Sequence, residues 1–373
     1  MIYFDNAATS LPKPPEVAQG MAWAVESFGN PGRSFATPGM QAAREIFAAR
    51  EMIARLTGCP DPARVAFTSG VTESMSLLCR MLGSGDHVIA SEIEHNSVLR
   101  PLWHAGCEVD LLPSDPSGRL MTERLPSLLR KETRAVFVNH GSNVTGEITD
   151  VDALYHLCRE AGVLLVLDVA QTLGTVPVTI SMADILCFSG HKGLFGPMGT
   201  GGLILRPGLN LPVLKTGGTG FDTFASLQQA RMPDLAEAGT PNAPGIYGLL
   251  MGARYVETIG IPAVAAHDRE LTQAFFQGLF AIPGIQIYGD FSRWPRLPVV
   301  SFRVEERDSA EVALALWEKH QIVTRSGGHC APLIHQRLGT QGTGLVRASF
   351  GWFNTLAEVR LGLEAIGELV KGG

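Results

Sequence analysis

A lysine lies between two glycines in the stretch Leu186 to Leu203, which reads LCFSGHKGLFGPMGTGGL. A short apolar run stops at Ser189, and Lys192 follows in a glycine-rich segment whose backbone can approach another group closely. A lysine that loses its proton can attack an aldehyde and form a Schiff base, and burial beside another cation favours that loss. The alternative is an ordinary lysine in a loop after a strand. The residues around it leave both interpretations open.

A second stretch is suited to bind an anion. Val65 to Thr68 predicts a short strand, which leads through Ser69 and Gly70 into a helix that begins near Val71 and Thr72. The free N–H groups and the dipole of a helix N-terminus attract negative charge, and a phosphate is a natural ligand there. Many turns between a strand and a helix have this form and bind nothing, so the pattern alone does not establish a site.

Further polar residues follow the predicted apolar strands. They are His95, Asn143, Asp168 with Gln171, and Ser189 with His191. In open α/β sheets, ligands bind at the carboxyl ends of the strands, where such side chains converge. Asp168 comes directly after the strictly apolar run Val163 to Leu167, and its position before Val169 also permits the role of a helix cap.

Short apolar runs alternate with helical patterns over the first two thirds of the chain, which predicts a mostly parallel sheet covered on both faces. The pattern changes near residues 250–262. We therefore expect an α/β protein with a large domain at residues 15–255 and a smaller α+β domain that combines residues 256–373 with an N-terminal arm at 1–14. The segment Thr216 to Gly245 has little periodicity, which is typical of a segment that covers a site or contacts a partner subunit.

Composition narrows the class of protein. The 373 residues carry a net charge of −6, and 45% of them are hydrophobic. This is typical of a soluble globular protein, with no general argument for binding of nucleic acid or an anionic membrane. The first residues, MIYFDNAATS, lack the basic flank and apolar core of a secretory signal, and no apolar run is long enough to cross a bilayer. We expect a cytoplasmic protein without a membrane segment.

Six cysteines are scattered without a CxxC pair, so neither a metal site nor a disulfide framework is indicated. Cys330 is predicted to lie in a loop, Ser326 to Pro332, directly after His329. An exposed thiol beside a positive charge has a lowered pKa and is reactive. Buried, unreactive thiols are expected for the other five, which lie in apolar or helical patterns: Cys59, Cys79, Cys107, Cys158 and Cys187.

With these residues assembled, the chain resembles the class V aminotransferases, a family of fold-type I pyridoxal-phosphate enzymes, and within it the SufS-like cysteine desulfurases and selenocysteine lyases. The resemblance covers nearly the whole length and implies a large domain with a mostly parallel seven-stranded sheet. It rests on nine motifs in order, which are YFDNAATS at 3–10, SGVTES at 69–74, EH at 94–95, SNVTGEI at 142–148, LDVAQ at 167–171, SGHKG at 189–193, AGTPN at 238–242, RSGGHCAPL at 325–333 and VRASFGWFNT at 346–355.

The resemblance implies pyridoxal 5'-phosphate as the cofactor, with no metal site. Lys192 would hold the cofactor as a Schiff base, Asp168 would pair with the protonated pyridine nitrogen, and Gln171 would contact the phenolic oxygen. His95 would stack on the ring and relay protons with a near-neutral pKa, and Asn143 would lie beside the ring oxygen and the substrate. The phosphate would be bound by Val71, Thr72, Ser189 and His191, and across the interface of a homodimer by Thr240.

The same resemblance implies the reaction. Arg347 would bind the substrate carboxylate with its two-pronged guanidinium, and Arg325 would be a second carboxylate or loop contact. Cys330 would attack the sulfur of L-cysteine and hold it as a persulfide while alanine is released, and an acceptor protein would then take the sulfur. Only residues 331–346 separate Cys330 from Arg347, which is closer to the SufS-like enzymes than to the desulfurases with a longer cysteine loop.

The chain departs from the SufS-like pattern at a few positions. Gly328 and Asn96 occupy positions where those enzymes have histidines, and the loop GNPGRSFATPG at 29–39 is closer to the other desulfurase group. The departures concern the substrate and the sulfur acceptor rather than the cofactor. The alternatives are a selenocysteine lyase, or an aminotransferase, epimerase or β-lyase in which Cys330 is not catalytic. A sulfur-relay or regulatory binding protein without catalysis is a further alternative, which the presence of all the cofactor residues argues against.

Overall fold

The computed structural model describes residues 1–32, 36–220 and 223–371. Part of the predicted loop at 29–39, residues 33–35, lies outside this range. Within the described residues, no single helix is long and apolar enough to cross a membrane. Helices Ala243–Ile259 and Ile261–Phe280 reach that length and composition only as a pair bent by 81°.

Seven short strands form the central sheet, in the spatial order β2-β8-β7-β6-β5-β3-β4. β8 runs antiparallel to both of its neighbours, and the other paired strands run parallel. The predicted α/β fold with a mostly parallel seven-stranded sheet is therefore confirmed. The strands are β2 (Val65–Thr68), β3 (His87–Ser91), β4 (Glu108–Leu112), β5 (Thr133–Asn139), β6 (Leu164–Asp168), β7 (Ile185–Ser189) and β8 (Gly201–Leu205).

Helices cover both faces of this sheet because its strands are apolar on both sides. In β6, Leu165 and Leu167 pack into one apolar cluster, whereas Val166 packs into another on the opposite face. Helices α2, α6 and α7 contribute to the first cluster, and α3 and α4 contribute to the second. The helices of this part are α1 (Pro15–Ser27), α2 (Thr37–Leu56), α3 (Val71–Leu78), α4 (Asn96–His104), α5 (Leu125–Leu128), α6 (Asp152–Ala161) and α7 (Ala243–Ile259).

A second, antiparallel sheet has the strand order β12-β13-β10-β9. It packs with α8, α9 and α11 around a third apolar cluster, which also contains Phe4 of the N-terminal arm. The arm is fastened by β1 (Ile2–Tyr3), which pairs parallel with β11 (Ile322–Val323). The other elements are α8 (Ile261–Phe280), β9 (Ile285–Tyr288), β10 (Val299–Val304), α9 (Ser309–His320), β12 (Arg325–Gly327), α10 (Pro332–Arg337), β13 (Leu345–Ser349) and α11 (Leu356–Lys371).

The segment Ser326 to Pro332 is more ordered than the predicted loop. β12 overlaps its beginning and pairs with β13, so that Arg325 lies opposite Arg347. α10 begins at its last residue, Pro332, a position where a proline favours a helix start. Between these two elements, residues 328–331 form the turn that carries Cys330.

Candidate active site

Polar side chains meet at the carboxyl ends of the central strands. β5, β6 and β7 end at Asn139, Asp168 and Ser189. Beside these ends lies a cavity of about 260 Å³. Its walls contain all the site residues predicted from the sequence except Thr240, namely Val71, Thr72, His95, Asn143, Asp168, Gln171, Ser189, His191, Lys192, Arg325, Cys330 and Arg347.

Thr240 is exposed and does not line the cavity of its own chain. It lies in the segment 216–242, whose described residues form neither helix nor strand. Phe224 and Leu227 in the same segment are also exposed, with 102% and 84% of their surface accessible. The role of Thr240 toward a neighbouring subunit therefore stays a prediction.

Lys192 follows the end of β7 in the turn that the glycines permit. Burial lowers the pKa of its ammonium to about 8. The negative charge of Asp168 opposes this shift, whereas the nearby Arg347 and Arg325 add to it. At pH 7 roughly a tenth of Lys192 is therefore uncharged, far more than for a lysine of ordinary pKa, and a nucleophilic amine must be uncharged.

Asp168 ends β6 and is almost fully buried. Its Oδ1 accepts a hydrogen bond from the N–H of Ala170 at 2.9 Å, but the residues that follow form turns and no helix begins there, so the alternative role of a helix cap is wrong. Burial raises the pKa of this carboxyl, and the bond from Ala170 and the charge of Lys192 act in the opposite direction. Gln171 donates from Nε2 to the carbonyl of Ala7 at 2.9 Å, which fixes its amide at the cavity wall.

The first residues of α3 line the cavity, while the N–H groups of Ser69 and Gly70 in the preceding turn are bonded to the side chains of Glu73 and Thr68. α3 begins at Val71 after Gly70, and no side chain of the described residues caps it. Gly70 has φ +141°, and a Cβ on Gly201 would lie only 2.6 Å from its Cα, so neither position tolerates a side chain easily. His191 adds a buried Nδ1 that finds no hydrogen-bond partner among the described residues. A helix N-terminus and an unpartnered ring nitrogen at this corner of the cavity would favour an anion there.

His95 caps α4 with its ring. Nδ1 accepts a hydrogen bond from the N–H of Ser97 at 3.0 Å, so the proton of the neutral ring is on Nε2. Burial, together with the charge of Lys192 and nearby arginines, lowers the pKa of His95 to about 4. The near-neutral pKa expected from the sequence is therefore wrong, and His95 is an uncharged donor at neutral pH.

Two arginines flank one carboxylate at the edge of the cavity. Arg347 is 2% exposed and donates from Nη2 to Asp5 Oδ1 at 2.7 Å and from Nη1 to the carbonyl of Asn143 at 3.1 Å. Its Nε has no partner among the described residues. Arg325 approaches the other oxygen of Asp5 at 3.8 Å. Asp5 lies in the motif YFDNAATS, but no role for it was predicted from the sequence.

Two hydrogen bonds from neighbouring residues hold the turn of Cys330. The carbonyl of His329 accepts a hydrogen bond from Asn143 Nδ2 at 2.8 Å, and the carbonyl of Cys330 accepts one from the N–H of Asn96 at 2.7 Å. The thiol of Cys330 is exposed. One partner lies in a loop and the other at the start of α4. These two hydrogen bonds hold the turn in place and leave the thiol accessible.

Two expectations about cysteines need correction. His329 does not supply the positive charge expected beside Cys330, because burial and the charge of Arg347 lower its pKa to about 3. Cys107 is partly exposed, although the sequence predicted a buried thiol. The buried cysteines agree with the prediction, and they are Cys59, Cys79, Cys158 and Cys187.

Several residues that line the cavity were not predicted. Asn139 ends β5, and its place after an apolar run was a signal of the same kind as that of Asp168. Ser97 orients His95, and Ala7 orients Gln171 through its backbone carbonyl. A backbone carbonyl has no sequence signal, since any residue type provides one.

Comparison with known proteins agrees with this geometry. A model of the family described as aminotransferase class-V matches residues 2–361. A relative from Pyrococcus abyssi, named "Probable cysteine desulfurase", is 33% identical over 386 aligned residues, which cover 100% of this chain and 94% of the relative. A cysteine desulfurase from Salmonella dublin is 30% identical, with 96% of this chain and 91% of the relative covered.

A solved structure has the same fold. The apo structure of a cysteine desulfurase from Thermococcus onnurineus NA1 superposes with a TM-score of 0.89 at 31% identity, and covers 100% of this chain and 95% of that one. An α/β fold with a cavity lysine shortly after a central strand fits a pyridoxal-phosphate enzyme, in which a lysine holds the cofactor. This chain belongs to the class V aminotransferase family, whose members depend on that cofactor.

Proposed function

We propose that this protein is a pyridoxal-phosphate-dependent cysteine desulfurase that converts L-cysteine to L-alanine and transfers the sulfur to Cys330. The observation that carries the proposal is the exposed thiol of Cys330 at the cavity that Lys192 and Arg347 also line. The relatives named cysteine desulfurase support it, since they align over nearly the whole chain.

The donor set of the cavity fits pyridoxal phosphate. The uncapped start of α3 and the unpartnered Nδ1 of His191 fit its phosphate. Asp168 fits the protonated pyridine nitrogen, and the buried Oδ1 of Asn143, which has no partner within the described ranges, fits a hydroxyl or ammonium donor. Lys192 would hold the aldehyde. When bound, the cofactor supplies an electron sink for charge that develops on the α-carbon of the substrate.

Three residues of this chain would orient the substrate and move its protons. Arg347 would bind the substrate carboxylate, for which its unpartnered Nε is available. Lys192, with a pKa near 8, would take the proton from the α-carbon. His95 would offer the Nε2 proton as a donor, because its Nδ1 is engaged by Ser97.

The sulfur step is a transfer between two thiols. The thiolate of Cys330 attacks the sulfur of the substrate cysteine, a sulfur–sulfur bond forms, and the bond between that sulfur and the β-carbon breaks. The electron pair stays with the β-carbon, which takes up a proton. L-Alanine is released, and Cys330 remains as a persulfide. A reductant or an acceptor thiol then removes the added sulfur.

We propose further that the enzyme is a homodimer in which Thr240 contributes across the interface, and that an acceptor protein takes the sulfur. The division into a large domain at 15–255 and a small domain formed by 1–14 and 256–373 is also our proposal. It is supported by the separate apolar cluster around the second sheet. The cytoplasmic location expected from the sequence stays a prediction.

The test is the release of alanine and sulfide from L-cysteine with a reductant present. We expect Cys330→Ala to lower turnover at least about a hundredfold, with the absorbance of the lysine-bound cofactor unchanged. The matched control is Cys107→Ala, which removes a partly exposed thiol that does not line the cavity. This control should retain turnover.

The other outcomes separate the alternative functions. Equal turnover of Cys330→Ala and the wild type would make Cys330 a bystander and favour a direct β-lyase. Retained turnover on L-selenocysteine alone would favour a selenocysteine lyase. A wild type that binds the cofactor yet releases no alanine would exclude L-cysteine as the substrate.

A further inference from the structure

The turn that carries Cys330 has an unfavourable backbone conformation. His329 and Cys330 are consecutive residues with φ of +49° and +56°, a region that side chains other than glycine rarely adopt. Such a conformation persists only where surrounding contacts hold it. Asn143 and Asn96 hold the two carbonyls, as described above. A second set of contacts holds the ring of His329.

The second set is a row of buried hydrogen bonds. His329 Nε2 lies 3.2 Å from the carbonyl of Arg325, and its Nδ1 lies 3.3 Å from Nε2 of His335. His335 Nδ1 lies 2.8 Å from the hydroxyl of Thr340. The planes of the two rings lie within 20° of each other and their centroids are 5.5 Å apart, which suits a hydrogen bond between their edges. His335 is 2% exposed and Thr340 is 0% exposed, so water does not replace these contacts.

The chemistry of the groups determines the direction of this row. A carbonyl only accepts, so His329 donates from Nε2 and its Nδ1 carries a lone pair. His335 must then donate from Nε2 to His329, which leaves a lone pair on His335 Nδ1 for the hydroxyl proton of Thr340. Burial lowers the pKa of both histidines, which keeps both rings neutral as this arrangement requires.

The row connects the ring of His329, the residue before Cys330, to the second sheet. Its last acceptor is the backbone of Arg325 in β12, and Arg325 pairs with Arg347 in β13. His335 lies in α10, and Thr340 follows that helix. The row therefore holds the Cys330 turn against the backbone of β12, and among the described residues it makes no contact with the guanidinium groups that would bind the substrate carboxylate.

We propose that His335 and Thr340 are positioning residues for Cys330, which orient its thiol toward the substrate sulfur through the ring of His329. This inference rests on the proposed function, because it assigns Cys330 the role of sulfur acceptor. Neither residue touches the cavity. Their effect should therefore fall on sulfur transfer and leave the binding of cofactor and substrate unchanged.

The first experiment compares Thr340→Val with Thr340→Ser. Valine fills the same space without a hydroxyl, whereas serine keeps the donor to His335. Because displacement of a reacting group by about 1 Å can cost a hundredfold in rate, we expect Thr340→Val to lower kcat about tenfold with KM for L-cysteine unchanged. Thr340→Ser should restore most of kcat. Wild-type kcat in Thr340→Val, or no rescue by serine, overturns the proposal.

The matched control is Thr133→Val. Thr133 contacts the buried ring of His87 at 2.8 Å, in a histidine–threonine pair of β3 and β5 that does not line the cavity. This control should lose stability without a selective loss of kcat. If Thr133→Val loses as much kcat as Thr340→Val does, the loss of kcat results from lower stability in both variants, and the proposal is wrong.

A second readout does not depend on turnover. The rate at which iodoacetamide alkylates Cys330 in the holoenzyme, followed by peptide mass spectrometry without L-cysteine, reports on the turn itself. We expect it to rise at least about threefold in Thr340→Val, because the released thiol samples more orientations. An unchanged alkylation rate overturns the inference. Failure of the proposed function has a different sign, which is full turnover in Cys330→Ala.

His335 provides an independent pair of variants should Thr340→Val fail to fold. The amide nitrogen of His335→Gln occupies nearly the place of Nε2 and keeps a donor to His329, whereas the shorter side chain of His335→Asn does not reach it. We expect His335→Gln to retain most of kcat and His335→Asn to lose about as much as Thr340→Val. Equal kcat in the two variants contradicts the row of hydrogen bonds.

Discussion

The pKa of Lys192 makes a prediction at the scale of one residue. Burial lowers it to about 8 from an ordinary value of 10.5. Only the neutral amine captures an aldehyde, and the neutral share grows as pH rises. We therefore expect the rate at which the apoprotein takes up pyridoxal phosphate to increase with pH around a midpoint near 8. The absorbance of the lysine-bound cofactor measures this rate without turnover.

Two variants test the cause of this shift. Arg325→Gln removes a cation that lowers the pKa of Lys192, so the midpoint should move upward. Lys192→Ala should show no cofactor band, although Lys13 remains and burial lowers its pKa to about 8 as well. Lys13 is tied by hydrogen bonds to Ser10 and His191 and does not line the cavity. A midpoint above about 10 would contradict the prediction.

Residue types near strand ends were enough to assemble most of the site from the sequence. Lys192 was singled out by the glycines around it and Asp168 by its place after an apolar run, and the family resemblance implied the role of each. Their pKa values could not be predicted, since burial decides them. His95 and His329 illustrate this, because both were expected to carry or share a proton near neutral pH and burial keeps both uncharged.

At the scale of elements, β8 sets the position of the turn that precedes α3, where we propose that the phosphate binds. It lies between β2 and β7, and a Cβ on Gly201 would meet the backbone of Gly70 and Phe188. We expect Gly201→Ala to lower the free energy of unfolding by about 1–3 kcal/mol, because the strands must move apart. Cofactor affinity should also fall, since Gly70 precedes the start of α3. Urea denaturation and a spectrophotometric cofactor titration measure the two effects.

Gly367→Ala in α11 is the control for this substitution. Its Cβ would meet only the far end of Ile282, at 4.0 Å, and alanine favours a helix more than glycine does. This variant should gain up to about 1 kcal/mol of stability and keep its cofactor affinity. Wild-type stability in Gly201→Ala would mean that the contact between β8 and the turn is not a tight one.

Elements with a strong pattern of their own were predicted, and those formed by pairing were not. The apolar runs of β6 and β7 predict strands from their own residue types. β12 has three residues, of which one is glycine, and it is a strand because β13 lies beside it. Thr340 likewise reaches the Cys330 turn only because of how α10 packs. No local sequence pattern indicates this contact.

At the scale of the whole molecule, the role that the family resemblance implies for Thr240 predicts that each active site is completed by a second copy of the chain, and the exposure of Thr240 leaves it available for that contact. Two mixed dimers can test this, because each contains one competent lysine. In the first, Lys192→Ala and Thr240→Ala are on the same chain, beside a wild-type chain. In the second, they are on opposite chains. If Thr240 acts across the interface, the first dimer lacks it at the competent lysine and the second retains it.

The affinity of that one site for pyridoxal phosphate, read from the band of the lysine-bound cofactor, gives the answer. A hydrogen bond to a charged phosphate contributes about 1.5–3 kcal/mol, so we expect the dimer with both substitutions on one chain to bind at least about tenfold more weakly than the other. The reverse order would mean that Thr240 serves its own chain. Equal affinities would mean that Thr240 does not contact the cofactor. The prediction that each active site needs a second chain would then have no supporting residue.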